Sequence, residues 1–292
     1  VAFGLDSRLL ASASVDGTVI VTDTQTDEQM MAVSIEDGWF YDVAIHPGST
    51  TVAGAASDGN VYVWAYPSGI LLSTLEDTDE VHSVAYSPDG RLIASGGNSA
   101  NLTIWNAATG ERLRIIEGHT GVILNVVFSS DGSRVATSSA DVTLSGQDTI
   151  QDRTVRIWDV ETGEELVRIQ PNSGFVRALD FSPTGETVAY GVWDNTNSGT
   201  VRVHDAETGE ERIVFNAHTT SISTIAYSAD GAQIASVGWD RTLRIWDLAE
   251  EDEVDSFVGF DDRVLAMDYS ADGASLALGV GNVGNNIYSG DD

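Results

Sequence analysis

Seven recurrences of one strand-and-turn unit predict an all-β fold, a seven-bladed β-propeller of four-stranded antiparallel blades with the last blade incomplete. Two further observations support it: apolar runs are only four to six residues long, and Gly, Asp and Ser punctuate them where a helix would continue. The unit is an apolar run closed by a Ser-x-x-Gly turn: VAYSPDG (84–90), VVFSSDG (126–132), LDFSPTG (179–185), IAYSADG (225–231) and MDYSADG (267–273), with degenerate copies VAFGLDS (1–7) and VAIHPGS (43–49). The residues that open these turns, Gly4, His46, Ser87, Ser129, Ser182, Ser228 and Ser270, are 42, 41, 42, 53, 46 and 42 apart, so seven units fill the chain.

Each unit continues in the same order. After strand a and its turn come a second run such as LIASGG or QIASVG, an Asp or Asn turn, a third run such as TVRIWD, a turn such as ETGEE and a fourth run. These are strands a, b, c and d of a meander whose two apolar faces cannot both be covered within one sheet; copies stack around an axis, and closing the ring leaves only short edges. Strand a starts near 1, 41, 82, 123, 176, 222 and 264, and residues 1–292 form a single propeller domain. Blade seven has only NNIYSG after strands a and b, with no strand d, so the chain reads as part of a longer protein whose other domains are further partners.

Strand c closes on Trp64-Ala65, Trp105-Asn106, Trp158-Asp159 and Trp246-Asp247, with Thr22, His204 and Tyr288 at the equivalent place in blades one, five and seven; Gly118-His119 and Ala217-His218 stand in d-to-a connections. With the period, these residues resemble the WD-repeat β-propeller family over essentially the whole chain. The resemblance implies a hydrogen-bonded set of His, Ser or Thr, Asp and Trp in each complete blade. On this sequence the fullest sets are His119, Ser139, Asp152 and Trp158 in blade four, and His218, Ser236, Asp240 and Trp246 in blade six. Such a set satisfies polar groups whose unpaired burial costs about 1–3 kcal/mol each, so these His residues are structural.

Charge narrows the partners. Fourteen basic side chains, all Arg, oppose 45 acidic ones for a formal charge of −31, which repels the phosphates of nucleic acid and the surface of an anionic membrane. The acid is spread along the chain, as a solvated surface would be, and the absence of Lys fits halophilic adaptation in a prokaryotic-type protein. No Cys is present, so thiolate chemistry and Cys-ligated metals are excluded, and the compartment, cytoplasmic or exported, is not readable.

No motif calls for catalysis, a metal or a cofactor. GVGNVG (279–284) follows a strand, but NNIYSGDD opens no helix for a pyrophosphate. DNTNSGTVRVHD (194–205) has partial calcium-loop spacing, but its second half is needed as strand c. His46 and His82 have structural or solvent roles.

The irregular spacings and the extra tryptophans point to one face. The 53-residue unit carries its excess in the b–c loop 141–152 and the 46-residue unit in the b–c loop 194–198, adjacent blades on the face that also carries the d–a connections. Trp193 and Trp239 each precede the Asp of a b–c turn, off the strand-c register, where a small polar residue would serve. With Phe175, Arg177, Arg241 and Trp39, they are the candidate partner-binding residues, since aromatic and Arg side chains dominate binding hot spots. The expected function is a non-catalytic platform for a protein or peptide partner. A channel-centred enzyme or small-ligand binder instead requires perturbed carboxylates or His in the central pocket, and a structural spacer requires no exposed apolar patch.

Repulsion among the carboxylates opposes the compact state, and salt shortens its reach from about 8 Å at physiological ionic strength to about 3 Å at 1 M. The melting temperature is therefore expected to rise between low and molar sodium chloride; a flat or falling curve would exclude salt adaptation as the reason for the composition.

Overall fold

The Ser-x-x-Gly turn sets where strand a ends and strand b begins. The Ser87, Ser129, Ser228 and Ser270 hydroxyls each donate to the Asp two residues on at 2.6 Å and accept the backbone N–H five residues on at 2.9–3.0 Å. The fourth position must be left-handed: φ is 72° at Gly90 and 70° at Gly231, and in the two degenerate units Ser49 and Ser7 adopt 51° and 56° without a glycine's freedom.

The computed structural model describes residues 1–140, 152–171, 174–193 and 198–281. Among these there is no helix, and 26 strands form six four-stranded antiparallel sheets and one two-stranded sheet. The chain is a seven-bladed propeller. Blade six is representative, with strands Ile222–Tyr227, Gln233–Gly238, Thr242–Asp247 and Asp252–Val258 in sequence order across the sheet. The described strands of blade seven are Val264–Tyr269 and Leu276–Val280; residues 282–292, including Tyr288 and the second half of GVGNVG, lie outside the described residues.

The core lies between blades. Six apolar slabs each combine one blade with strands of the next, as where Phe215, Val201 and Val203 of blade five meet Ile225, Ile234 and Trp246 on strands a, b and c of blade six. Strand a of every blade touches strand a of the next, and that of blade seven touches that of blade one, closing the ring around an axial channel.

The inner strands are bridged by side chains. Asp42 accepts from Ser83 Oγ at 3.0 Å and Val84 N at 3.1 Å, and Ser83 Oγ in turn accepts from Val126 N at 3.1 Å. Asn125 donates to the Arg177 carbonyl at 2.8 Å, Asp180 accepts from Tyr227 N at 2.8 Å, and Thr224 donates to the Leu265 carbonyl at 3.3 Å. Asp268 accepts from Phe3 N at 2.7 Å, which joins blade seven to blade one. Six consecutive junctions thus satisfy backbone groups that no ladder reaches.

Three of these bridges are half-buried carboxylates, and all three are pushed up. Burial lifts Asp180 to about 7, with Asp268 adding to it; burial lifts Asp268 to about 6 against its bond from Phe3, with Asp42 adding to it; burial also raises Asp42. A carboxyl whose folded pKa exceeds its unfolded value binds more protons when folded, so the stability it confers at low pH is lost as pH rises from about 4 to about 7. Asp180→Asn keeps an acceptor for Tyr227 and removes the charge. Denaturant midpoints at pH 4.5 and 7.5 are expected to change less favourably with rising pH in the wild type than in this variant; equal changes would show that Asp180 does not titrate in that window.

Candidate partner-binding face

A β-bulge at the start of strand a builds the mouth of the channel. In blade five Val176 pairs with Val192 and Ala178 with Gly191, which leaves Arg177 outside the ladder. The same one-residue shift frees Tyr41, His82, Leu124, Ser223 and Leu265 in blades two, three, four, six and seven. A bulge re-aims its extra side chain, and all six line one cavity of about 460 Å³ at the channel end that carries the b–c and d–a connections. In blades two to seven this residue lies five before the one that opens the a–b turn, a periodicity the sequence carries outside the Trp-bearing motifs.

Trp193 is the last residue of strand b (Thr187–Trp193), paired with Phe175, on whose ring it stacks at 6.4 Å between centroids. The Arg153 guanidinium lies 5.0 Å from the Phe175 centroid. Trp193 Nε1 is shielded from solvent with no acceptor among the described residues. Trp239 sits in the equivalent place in blade six, in the b–c turn, and lines the cavity. Arg177 and Arg263 both lie over its ring, at 5.2 and 4.2 Å from the centroid. Two neighbouring aromatic and Arg groups therefore meet on this face, joined through Phe175 and Arg177 on one strand (Phe175–Phe181).

Arg241 is exposed in the same turn, at φ 62°, and makes no side-chain hydrogen bond, ion pair or ring contact with this group among the described residues. Trp39 is 36% exposed and lies across the ring in the connection into blade two, edge-to-face with Tyr41 at 6.1 Å. Tyr41 contacts the His82 ring at 4.3 Å and donates to Glu80 at 2.9 Å, so Trp39 reaches the cavity only through its wall. His82 Nε2 is bonded to Asn98 at 2.8 Å, and burial lowers its pKa. Loop residues 141–151 and 194–197 lie outside the described residues.

In blade six the His218 Nδ1 atom is 3.0 Å from both Asp240 oxygens, His218 Nε2 is 2.8 Å from Ser236 Oγ, and Trp246 Nε1 donates to Ser236 at 3.0 Å. His218 itself ends strand d (Glu211–His218) rather than standing in the connection after it. Burial would raise the Asp240 carboxyl, but the bonds from His218 and Thr242 overcome it and hold the group at about 2. In blade four Asp152 and Trp158 are joined to His119, but the hydroxyl that bridges imidazole and indole is Thr137, at 2.7 and 2.8 Å, not Ser139. Strand parity puts Thr137 and Ser139 on one face; counting five residues from the turn glycine, as from Gly231 to Ser236, gives Thr137. Ser139 Oγ is buried with no partner among the described residues.

Blades without the full set fill its space otherwise. In blade five Tyr190 takes the hydroxyl position and donates its bulk in place of the missing indole, 3.0 Å from His204 Nε2. In blade two Gly54 takes that position, and its open side is filled by Phe40, which packs edge-to-face on Trp64 at 5.7 Å.

The family model for the WD domain, G-beta repeat, matches residues 34–65, 69–106, 110–159 and 209–247, together more than half of the chain. The chain belongs to the WD40 family. The four matches end on strand c of blades two, three, four and six, the blades whose strand c holds Trp64, Trp105, Trp158 and Trp246. Among its relatives, the Periodic tryptophan protein 2 homolog of Dictyostelium discoideum is 28% identical over 198 residues, 67% of this chain and 20% of that protein. The Guanine nucleotide-binding protein G(I)/G(S)/G(T) subunit beta-1 of Homarus americanus is 26% identical over 196 residues, 66% of this chain and 42% of that protein. The WD40 chain thus spans less than half the length of either relative.

Trp246 is 4% exposed, stacks on Phe215 at 4.9 Å and donates to Ser236, whereas Trp239 holds two guanidiniums at the rim. Trp246→Ala is expected to lose about 3–5 kcal/mol through the cavity and the stranded hydroxyl. Trp239→Ala should lose about 1–2 kcal/mol, the scale of two exposed cation–π contacts. Thermal melts in which the two variants are equally damaged would make Trp239 a core element.

Proposed function

We propose that this chain is a non-catalytic platform that binds a protein or peptide partner on the face carrying the b–c and d–a connections, around the mouth of the channel. The observation that carries the reading is the grouping of Trp193 on Phe175 and of Trp239 under Arg177 and Arg263 beside an open cavity of about 460 Å³. Large aromatic and Arg side chains around a concavity are the chemistry of binding hot spots, because they bring contact area at small entropic cost. Membership in the WD40 family and similarity to a guanine nucleotide-binding protein subunit fit a protein-interaction scaffold.

The perturbed carboxylates that a channel-centred enzyme requires do exist, in Asp42, Asp180 and Asp268. Each, however, accepts a backbone N–H of the neighbouring blade, which assigns it to building the ring. The aromatic mouth and the bonded carboxylates together favour the platform. Immobilised wild type, Trp193→Ala and Trp239→Ala are to be compared for capture of partners from the source proteome. Each variant should weaken capture about thirtyfold, the equivalent of about 2 kcal/mol, while its melt falls far less than that of Trp246→Ala. Undiminished capture by both folded variants would place the interface elsewhere.

A further inference from the structure

The face opposite the platform carries the a–b and c–d turns, and there a groove of about 460 Å³ opens between blades three and four. Its apolar lining is Leu92, Ile104, Leu113 and Val160. Leu113 is 48% exposed, while Leu92 and Val160 pack on the slab between the two blades. Its carboxylates are Asp131, Asp159 and Glu161. Bonds from Ser129 and Ser133 hold the Asp131 carboxyl at about 2, and bonds from Thr162 lower that of Asp159, so both are ionised at neutral pH. The one cation in the lining, Arg114, donates to the Glu161 carbonyl at 2.6 Å and the Thr162 carbonyl at 3.0 Å. Three carboxylates against one guanidinium leave the groove negative.

The next junction contains its own occupant. Arg134 opens strand b of blade four (Arg134–Ala140) and reaches into blade five. Its guanidinium donates to the Gly185 carbonyl at 2.6 Å and the Ala206 carbonyl at 3.4 Å, and lies 5.6 Å from the Phe181 centroid. Between blades two and three the equivalent turn-glycine carbonyl, that of Gly90, is 3.1 Å from His46 Nε2. Between blades three and four the repeat puts Leu92 at the place of Arg134, Gly132 at that of Gly185 and Val160 at that of Ala206. Leu92 has nothing to donate, and no hydrogen bond reaches the Gly132 or Val160 carbonyl among the described residues. A Cβ placed on Gly132 would meet only Pro88, at 3.3 Å, where one on Gly185 would first meet the Arg134 guanidinium, at 3.1 Å.

We propose that the groove between blades three and four docks an arginine side chain from a basic segment of a partner protein. The guest guanidinium donates to the Gly132 and Val160 carbonyls as Arg134 does to Gly185 and Ala206, and its stem lies along Leu92 and Leu113. Lys lacks the planar fork that spans two carbonyls, and Gln lacks the charge that the carboxylates attract. The net charge of −31 draws a basic segment from a distance, so the local and long-range preferences agree. This surface is separate from the channel mouth and stands or falls without the platform.

The test is calorimetric titration of the whole chain with acetylated, amidated Ala-Leu-Arg-Leu-Ala and its Lys and Gln counterparts. The Arg peptide is expected to bind about tenfold more tightly than either. Leu92→Arg repeats the blade-four arrangement, so the groove is closed from within and that preference should disappear while the melt is kept or raised. Asp159→Asn combined with Glu161→Gln leaves Thr162 its acceptor, removes two carboxylates and should weaken the Arg peptide about tenfold. This double variant decides the matter should Leu92→Arg fail to fold. Equal binding of the three peptides, no binding of any, wild-type affinity in the double variant, or preference retained in folded Leu92→Arg would overturn the site. Binding lost in Trp239→Ala and kept in Leu92→Arg would move the Arg preference to the mouth, overturning the groove and leaving the platform standing. Sedimentation showing a dimer that Leu92→Arg dissociates would give the groove to a second copy of this chain and overturn the partner.

Discussion

The side-chain bridge between inner strands is the interaction on which the ring depends. Seven sheets that meet at an axis bring their first strands side by side but fanned apart, so no ladder can form between them and their inward N–H and C=O groups would go unpaired. Asp42, Ser83, Asn125, Asp180, Thr224 and Asp268 reach across and complete those groups. All are short and polar, which is what the narrow gap admits. The same gap shields three carboxylates from part of the solvent, so the ring is held in part by groups that resist ionisation there.

The bulge that precedes each bridge turns architecture into a site. In blades two to seven one extra residue in strand a turns a side chain toward the axis while the bridging residue further along the strand keeps facing the neighbouring blade, so each of these six blades contributes one such side chain to the mouth. Where those side chains are Leu124 and Leu265 the mouth is apolar; where they are Tyr41, His82 and Arg177 it is polar. Identity at that position is free of the folding requirement, which the backbone shift alone meets. The character of the mouth is therefore set at the position in the repeat that the bulge frees.

Much of the architecture was legible because the a–b turn is a local, stereochemically demanding motif: a left-handed fourth residue and a hydroxyl that closes on an Asp recur where the strands must reverse. The Trp-bearing blades were legible for a related reason, since in blades three, four and six the strand-c indole donates to a strand-b hydroxyl and both residues stand in the sequence. Ser139 was mistaken for Thr137 because three hydroxyl residues follow one another there and parity alone cannot choose between two on the same face. Of the candidate site, Trp193, Trp239, Phe175 and Arg177 stood out as residue types out of register. Tyr41, His82, Ser223 and Arg263 did not, because their placement arises from the bulge and from packing across blades that are about 40 to 220 residues apart in the chain.

Blades two and five show how the ring tolerates loss of the motif that defines its family. The space between adjacent blades has to be filled to close-packed density whichever residues fill it. Tyr190 with His204, and Phe40 over Gly54 with Trp64, supply that volume without the His, hydroxyl and Trp arrangement of blade six. In blade five the substitution also has a consequence at the face. Strand b continues without a turn to Trp193, whose ring stacks on Phe175, and strand a delivers Arg177 two residues later to Trp239 of the next blade. A blade that departs from the motif in its core thus supplies Trp193, Phe175 and Arg177 to this face, and the departure links the packing of the ring to the chemistry of the surface it presents.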